Sequence, residues 1–334
     1  MKETLATIAA RTGFSTATVS RVLSGQSEKY RISSKTSSII RKEARRCKYE
    51  TSFTAQLLRN AKSDSIGLLL PSVSNLFFAE LADTIIGELN KRGYLAIVMD
   101  TMEDEKQFRD CLLTLASRHV SGIIAVPCGS DNSLLEQINR ESMPVVLIDR
   151  SYPEATMPYV TTNNYQGGID GTKALIDRGY RKIACIQGKL DSSANLERVR
   201  GYRDAMKQAG LEENITVCGN DFSIRNGYLE TKLLLAGDIS ERPRALFTLS
   251  NMIALGALKA IKEAGLSIPK DMAMVTFDNN SYLDFMQPSL ARISQPTVDM
   301  ASLAVKILFD KIDHTSVGNT FLKLSPSFIF GDSI

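Results

Sequence analysis

From Ser65 onward, short apolar runs alternate regularly with amphipathic stretches, and this most constrains what the chain can fold into. The runs lie at 66–70, 95–99, 122–126, 145–148, 183–186, 245–247 and 273–277. The first intervening stretch places Phe78, Leu81, Ile85 and Leu89 on one face at helical spacing. Strand–helix alternation at roughly 25–30 residues per unit predicts parallel, doubly wound sheets. Roughly 270 residues exceed what one such core accommodates, so two lobes are expected. Their predicted bounds are 63–162 plus 293–322 for the N-lobe, and 163–292 plus 323–334 for the C-lobe.

The chemistry open to this α/β body is narrow. It has no GxGxxG after a strand, no GxxxxGK[ST], no GxSxG and no HExxH. Its two histidines, His119 and His314, sit in charged surroundings and read as surface residues. The five cysteines are scattered, without a CxxC pair, which points away from zinc or a disulfide framework and toward a reducing cytoplasm. No run approaches ~20 apolar residues, so no membrane span is expected, and the N-terminus lacks the apolar core of a signal peptide. No cofactor, no metal and no catalytic constellation are expected. The body reads as a binder.

In doubly wound folds, ligands sit beyond the carboxyl ends of strands. The residues there are Asn75, Phe77, Phe78, Asp149, Arg150, Arg198, Phe222, Ser250, Asn251, Asp278 and Gln295. Carboxylates and guanidiniums make charge-assisted bonds to hydroxyls, and rings cover apolar C–H faces. The set suits a small sugar, pentose or hexose. A purine or nucleoside is the alternative, because aromatic rings beside Asp and Arg also suit a nucleobase.

The head differs in charge. Residues 1–62 carry 13 Lys/Arg against 4 Asp/Glu, while the remainder carries 27 against 33. A basic head on an acidic body predicts a polyanion partner for the head alone. Leu5, Ile8 and Ala9 share one helix face, with Thr4 as N-cap and Gly13 as C-terminal stop. Ser15 caps a second helix whose inner face is Val19, Val22 and Leu23. A third starts near Ser33, with Ile40, Ala44 and Cys47 inside. Three short helices with a tight turn between the first two form a helix-turn-helix head. The second helix leaves Thr16, Ala17, Ser20 and Arg21 outside, a face slim enough for a major groove. Arg21 can address guanine O6/N7 and Ala17 a thymine methyl. Ser15, Thr18 and Ser20 can reach phosphates.

The run at 4–23, above all Ser-x-x-Thr-Val-Ser-Arg-Val-Leu at 15–23, resembles the head of the LacI/GalR family of bacterial transcription regulators. The resemblance implies that Thr16, Ala17 and Arg21 read bases. Ser24 stands where the family usually has Asn. The segment 49–61 resembles the family's hinge: it keeps Tyr49, Ala55 and Leu58, with Thr51 for Pro, Ser52 for Asn and Gln56 for Arg. The resemblance implies that it forms a helix on operator DNA, with Leu58 wedged into the minor groove beside Ala55.

From about 65 to 330 the body is similar to the family's effector domain and to periplasmic sugar-binding proteins, with the strand-end residues resembling a ribose-type ligand shell. Ser250-Asn251 replaces a frequent Asn-Asp, and Gly331 replaces a frequent Arg. The expected architecture is a small all-α helix-turn-helix head (1–48), a hinge (49–62) and an α/β body of two doubly wound parallel-sheet lobes (63–334). The expected function is an allosteric repressor, a homodimer on a pseudo-palindromic double-stranded operator. A transport-type sugar-binding protein would lack the basic head, and a sugar-modifying enzyme would need a base–nucleophile pair.

Overall fold

The computed structural model describes residues 4–23, 27, 30–47, 63–140, 143–152, 156–315 and 320–334. The proposed hinge, with Ala55 and Leu58, lies outside the described residues. The chain separates into two units, one up to Ser63 and one from Asp64.

The first unit holds α1 (Leu5–Thr12), α2 (Thr16–Leu23) and α3 (Ser34–Arg46). Local chemistry sets each helix end. Thr4 and Thr7 form a reciprocal capping box at the start of α1. Gly13, at φ +73°, closes α1 by donating its N–H to the Ala9 carbonyl. The Ser15 hydroxyl accepts the Thr18 N–H, and that of Ser33 accepts the Thr36 N–H. Ile8, Ala9, Val19, Val22, Ile40 and Ala44 are buried together. Cys47 corrects one expectation. It lies beyond α3 as its C-cap, only half-buried, with its sulfur accepting from Arg11 rather than joining the apolar core.

The second unit contains two six-stranded sheets. Lobe 1 is built from β1 (Ser65–Leu70), α4 (Leu76–Lys91), β2 (Leu95–Asp100), α5 (Glu105–Ser117), β3 (Gly122–Ala125), α6 (Ser133–Arg140), β4 (Val145–Ile148) and β5 (Tyr159–Thr162). Lobe 2 follows with α7 (Asn164–Asp177), β6 (Ile183–Ile186), α8 (Ser193–Gln208), β7 (Thr216–Cys218), α9 (Ile224–Ala236), β8 (Ala245–Thr248), α10 (Asn251–Glu263), β9 (Ala273–Phe277) and β10 (Ala291–Ser294). Then α11 (Thr297–Ile312) and β11 (Phe321–Leu324) return to lobe 1, and β12 (Ser327–Ile329) ends in lobe 2. The strand orders are β11-β5-β4-β3-β1-β2 and β12-β10-β9-β8-β6-β7. All pairs are parallel except β10–β12.

Central strands such as β3 and β4 are buried along their whole length, because helices cover both faces. On one face of sheet 1, α4 and α11 bury Leu81, Ile85, Ala304 and Leu308 against Ile66, Leu68 and Ile124. In lobe 2, α7 and α8 touch so closely that a Cβ on Gly168 would lie 2.3 Å from the Arg198 carbonyl oxygen.

The chain crosses between lobes after Thr162, after Ser294 and after Leu324. The expected crossings at 293 and 323 shift slightly. Ile293 and Ser294 pair with β12 in sheet 2, while Lys323 and Leu324 pair with β5 in sheet 1. Gly331 is required by packing: a Cβ there would stand 2.5 Å from the Ala291 nitrogen.

Candidate functional site

In lobes of this kind, strand ends converge where the two sheets face each other, and loops after the strands supply the side chains. Ten of the eleven residues singled out above line one chamber: Asn75, Phe77, Phe78, Asp149, Arg150, Arg198, Phe222, Ser250, Asp278 and Gln295. Its free volume is about 30 Å³. Asn251 does not line it. Its backbone N–H donates to Asp278 Oδ2 at 3.2 Å, and its side chain donates to Asn280 Oδ1 and, across the lobes, to Asn75 Oδ1 at 3.0 Å.

Each group is fixed by its local fold. Asn75 caps α4, accepting the Phe77 N–H, and so aims Phe77 and Phe78 inward from the first turn; their rings meet edge to face at 5.1 Å. Ser250 caps α10. Asp149 and Asp278 directly follow β4 and β9, both with left-handed backbones (φ +67° and +75°), a conformation Asp tolerates better than most residues. Arg198 comes from α8. It donates Nε to Asn164 Oδ1 and Nη1 to the Leu249 carbonyl, both at 2.7 Å, and stacks 3.8 Å over Phe277. Gln295 sits on the second crossing, accepting from Thr162 and donating to Asp278 Oδ1, each at 2.7 Å.

The electrostatics follow from burial. Burial pushes the Asp149 carboxyl up to about 6, against the opposing pull of Arg150 and Arg198. Burial likewise lowers Arg198, against the stabilising charges of Asp278 and Asp149. Burial disfavours the charged Arg150 too, but Glu103 more than reverses this and holds its pKa above the ordinary value. Asp149 Oδ1 and Arg150 Nε are buried without a hydrogen-bond partner. Such atoms cost stability unless something bonds them, and both sit on residues of the chamber wall.

Sequence reasoning missed Glu103, Ala194 and Asn164. Glu103 follows Met102 in a pair of left-handed residues after β2 (both φ +54°), and its carboxylate grips Arg150 with two bonds of 2.6 and 2.8 Å. The available signal was its position beyond a strand end, the rule that found the others.

A candidate nucleic-acid face lies in the first unit. Ser15, Thr16, Ala17 and Arg21 are exposed, and Thr18 and Ser20 half-buried. The Arg21 guanidinium lies 4.0 Å over the Tyr30 ring. The Ser15 and Thr18 hydroxyls bond each other at 2.9 Å as part of the cap. Along α3, Ser34, Ser37, Ser38, Arg41, Lys42 and Arg45 contribute to a groove of about 800 Å³. Among the described residues, no group of His, Cys, Asp and Glu could hold a metal ion, and no helix is long and apolar enough to cross a membrane.

Known proteins resemble this chain over nearly its whole length. A periplasmic binding protein-like domain matches residues 172–334. The chain is 32% identical to the ribose operon repressor of Haemophilus influenzae, over 99% of this chain and 98% of that one. It is 29% identical to the HTH-type transcriptional repressor PurR of Vibrio atlanticus, over 98% and 97%. Among solved structures, a periplasmic binding protein/LacI transcriptional regulator from Alkaliphilus metalliredigens complexed with D-xylulofuranose is 25% identical, with a TM-score of 0.71, covering 81% of this chain and 99% of that one.

Proposed function

The chain belongs to the LacI/GalR family of bacterial transcription regulators, and we propose that it is a repressor released from or recruited to its operator by a neutral pentose. The observation that carries this reading is the buried chamber, where Asp149 Oδ1 lacks a donor while carboxylates, guanidiniums and rings surround it. A sugar hydroxyl supplies that donor, and Phe77, Phe78 and Phe222 cover the C–H faces of a small ring. Phe77 and Phe78 stand edge to face at 66°, so these two rings form no parallel slot for a purine.

We assign base reading to Thr16, Ala17 and Arg21, and phosphate contacts to Ser15, Thr18 and Ser20. The helix α2 exposes this face, and the charge excess of residues 1–62 supports the assignment. Ala55 and Leu58 are proposed for the minor groove. Two heads in a homodimer bind two half-sites as a bivalent unit. The protein senses its ligand and does not transform it.

Sugar and operator are coupled through the lobes. In this reading the lobes part to admit a pentose to the chamber. Bonds that cross the cleft, such as Asn251 to Asn75 and Ser151 N–H to Ser193 Oγ at 3.0 Å, then re-form around it. A coupling of ~1–3 kcal/mol is typical of such linkage.

The test has two stages. A duplex bound by the full chain is selected from a random library. Fluorescence anisotropy on that duplex then follows titration with D-ribose, D-xylose, D-xylulose, D-glucose, adenine and guanine. A shift of operator affinity with a pentose alone supports the reading. A shift with a purine alone, or no duplex preference at all, overturns it.

A further inference from the structure

Glu103 is the one charged group of the chamber wall not singled out from the sequence, and cations engage both its carboxylate and its carbonyl. Its carboxylate takes both terminal nitrogens of Arg150, at 2.6 and 2.8 Å. Its backbone carbonyl takes the ammonium of Lys189 from the opposite lobe, at 2.5 Å. The Glu103 carboxylate therefore neutralises Arg150, whereas Lys189, held by a neutral carbonyl, keeps its charge. Arg198 is committed elsewhere, to Asn164, the Leu249 carbonyl and the face of Phe277.

The charge count agrees. The chamber wall carries Glu103, Asp149 and Asp278 against Arg150 and Arg198. The mouth, a space of about 580 Å³, is lined by Asp100, Glu103 and Asp221 against Arg225, with the Lys189 ammonium on the Glu103 carbonyl. Arg225 is exposed, and a solvated ion pair there contributes little. Burying a phosphate beside these carboxylates, with Arg150 already paired by Glu103, is unfavourable.

We propose that the Glu103 carboxylate is an internal anion, standing where a ligand's phosphate or carboxylate would bond Arg150, and that it makes this cleft select neutral polyols over their phosphorylated forms. The inference rests on the pentose reading above and adds to it a determinant of specificity. A regulator with this device reports the free sugar and is insensitive to the phosphorylated products that a sugar kinase makes from it.

The experiment is isothermal titration of the full chain with D-ribose and with D-ribose 5-phosphate, for wild type, Glu103→Gln and Glu103→Asp. Wild type is expected to bind the neutral sugar about tenfold or more tightly than the phosphate. In Glu103→Gln, Arg150 is released, so the ratio narrows or inverts. The affinity it gains for the phosphate weakens steeply with added salt, which a merely structural role of Glu103 would not produce. Glu103→Asp keeps the charge and the wild-type ranking. Each variant is checked for a cooperative thermal transition, and Glu103→Ala replaces Glu103→Gln if the latter fails to fold. Phosphate binding by wild type as tight as that of the sugar, or an unchanged ratio in the folded neutral variant, overturns the role of Glu103 alone. Binding of neither compound to wild type overturns the pentose reading itself.

Discussion

Asp149→Asn separates the stability of the body from its ligand response. Burial raises the Asp149 carboxyl from 3.8 to about 6 in the folded protein. At about 1.4 kcal/mol per pH unit, the ionised form costs the fold about 3 kcal/mol above pH 7. The sign follows from proton counts. Between about pH 4 and 6 the folded state holds a proton that the unfolded state has lost, so stability falls as pH rises through that window and stays low above it. An amide removes the penalty but leaves Arg150 and Arg198 less well compensated, so about 3 kcal/mol is a ceiling and 1–3 kcal/mol the expected gain at pH 8. For a body of roughly 270 residues that is an increase of about 2–6 °C in Tm. The gain halves by about pH 5, where wild-type Asp149 is itself largely protonated. The same variant loses the effector response, because its side chain no longer presents two acceptors to a hydroxyl. Differential scanning fluorimetry from pH 5 to 8, with and without D-ribose, checks both halves. A lower Tm for Asp149→Asn at pH 8, or a difference independent of pH, refutes the reasoning. In wild type, sugar binding strengthens as pH rises through about 6, since the acceptor must be ionised.

Arg21→Ala is expected to cost roughly 1–3 kcal/mol of operator affinity and to relax preference at one base pair; a uniform loss over all duplexes in a mutated-operator scan removes its base-reading role. Asp278→Ala unties Gln295 and the Asn251 backbone, so it abolishes the effector shift while operator binding persists. A retained thermal shift with D-ribose refutes that assignment. Gly168→Ala pushes a methyl group into the Arg198 carbonyl, destabilising the body by roughly 1–3 kcal/mol and weakening ligand binding through Arg198. Urea unfolding and titration calorimetry measure the two effects, and unchanged affinity in the folded variant decouples that helix seam from the site.

The parts legible from sequence share a physical reason. The runs at 66–70 and 145–148 are apolar throughout because both faces of a parallel sheet are covered, so burial is written along the strand. The edge strands β7, β11 and β12 went unread. They have three or four residues each, with no fully buried position and no run long enough to stand out. The strand-end rule brought Asp149, Asp278 and Arg150 together because in this topology the carboxyl ends of distant strands converge. Asn251, read as a ligand contact, opens α10, and its side chain bonds Asn75 and Asn280. Glu103 escaped because its orientation depends on two consecutive left-handed residues, a backbone choice that Met102 and Glu103 do not announce.

Three covalent strands join the lobes, and they are tied sideways: Thr162 to Gln295 on the first and second, and the Asn163 N–H to the Leu324 carbonyl on the first and third. A trio of laced cords resists shear and torsion, leaving bending about one line as the soft motion. A shared hinge of this kind is expected to deliver a similar stroke whatever molecule fills the gap. Substitutions that retune which compound is sensed can therefore accumulate around the chamber without rewriting the signal that leaves it.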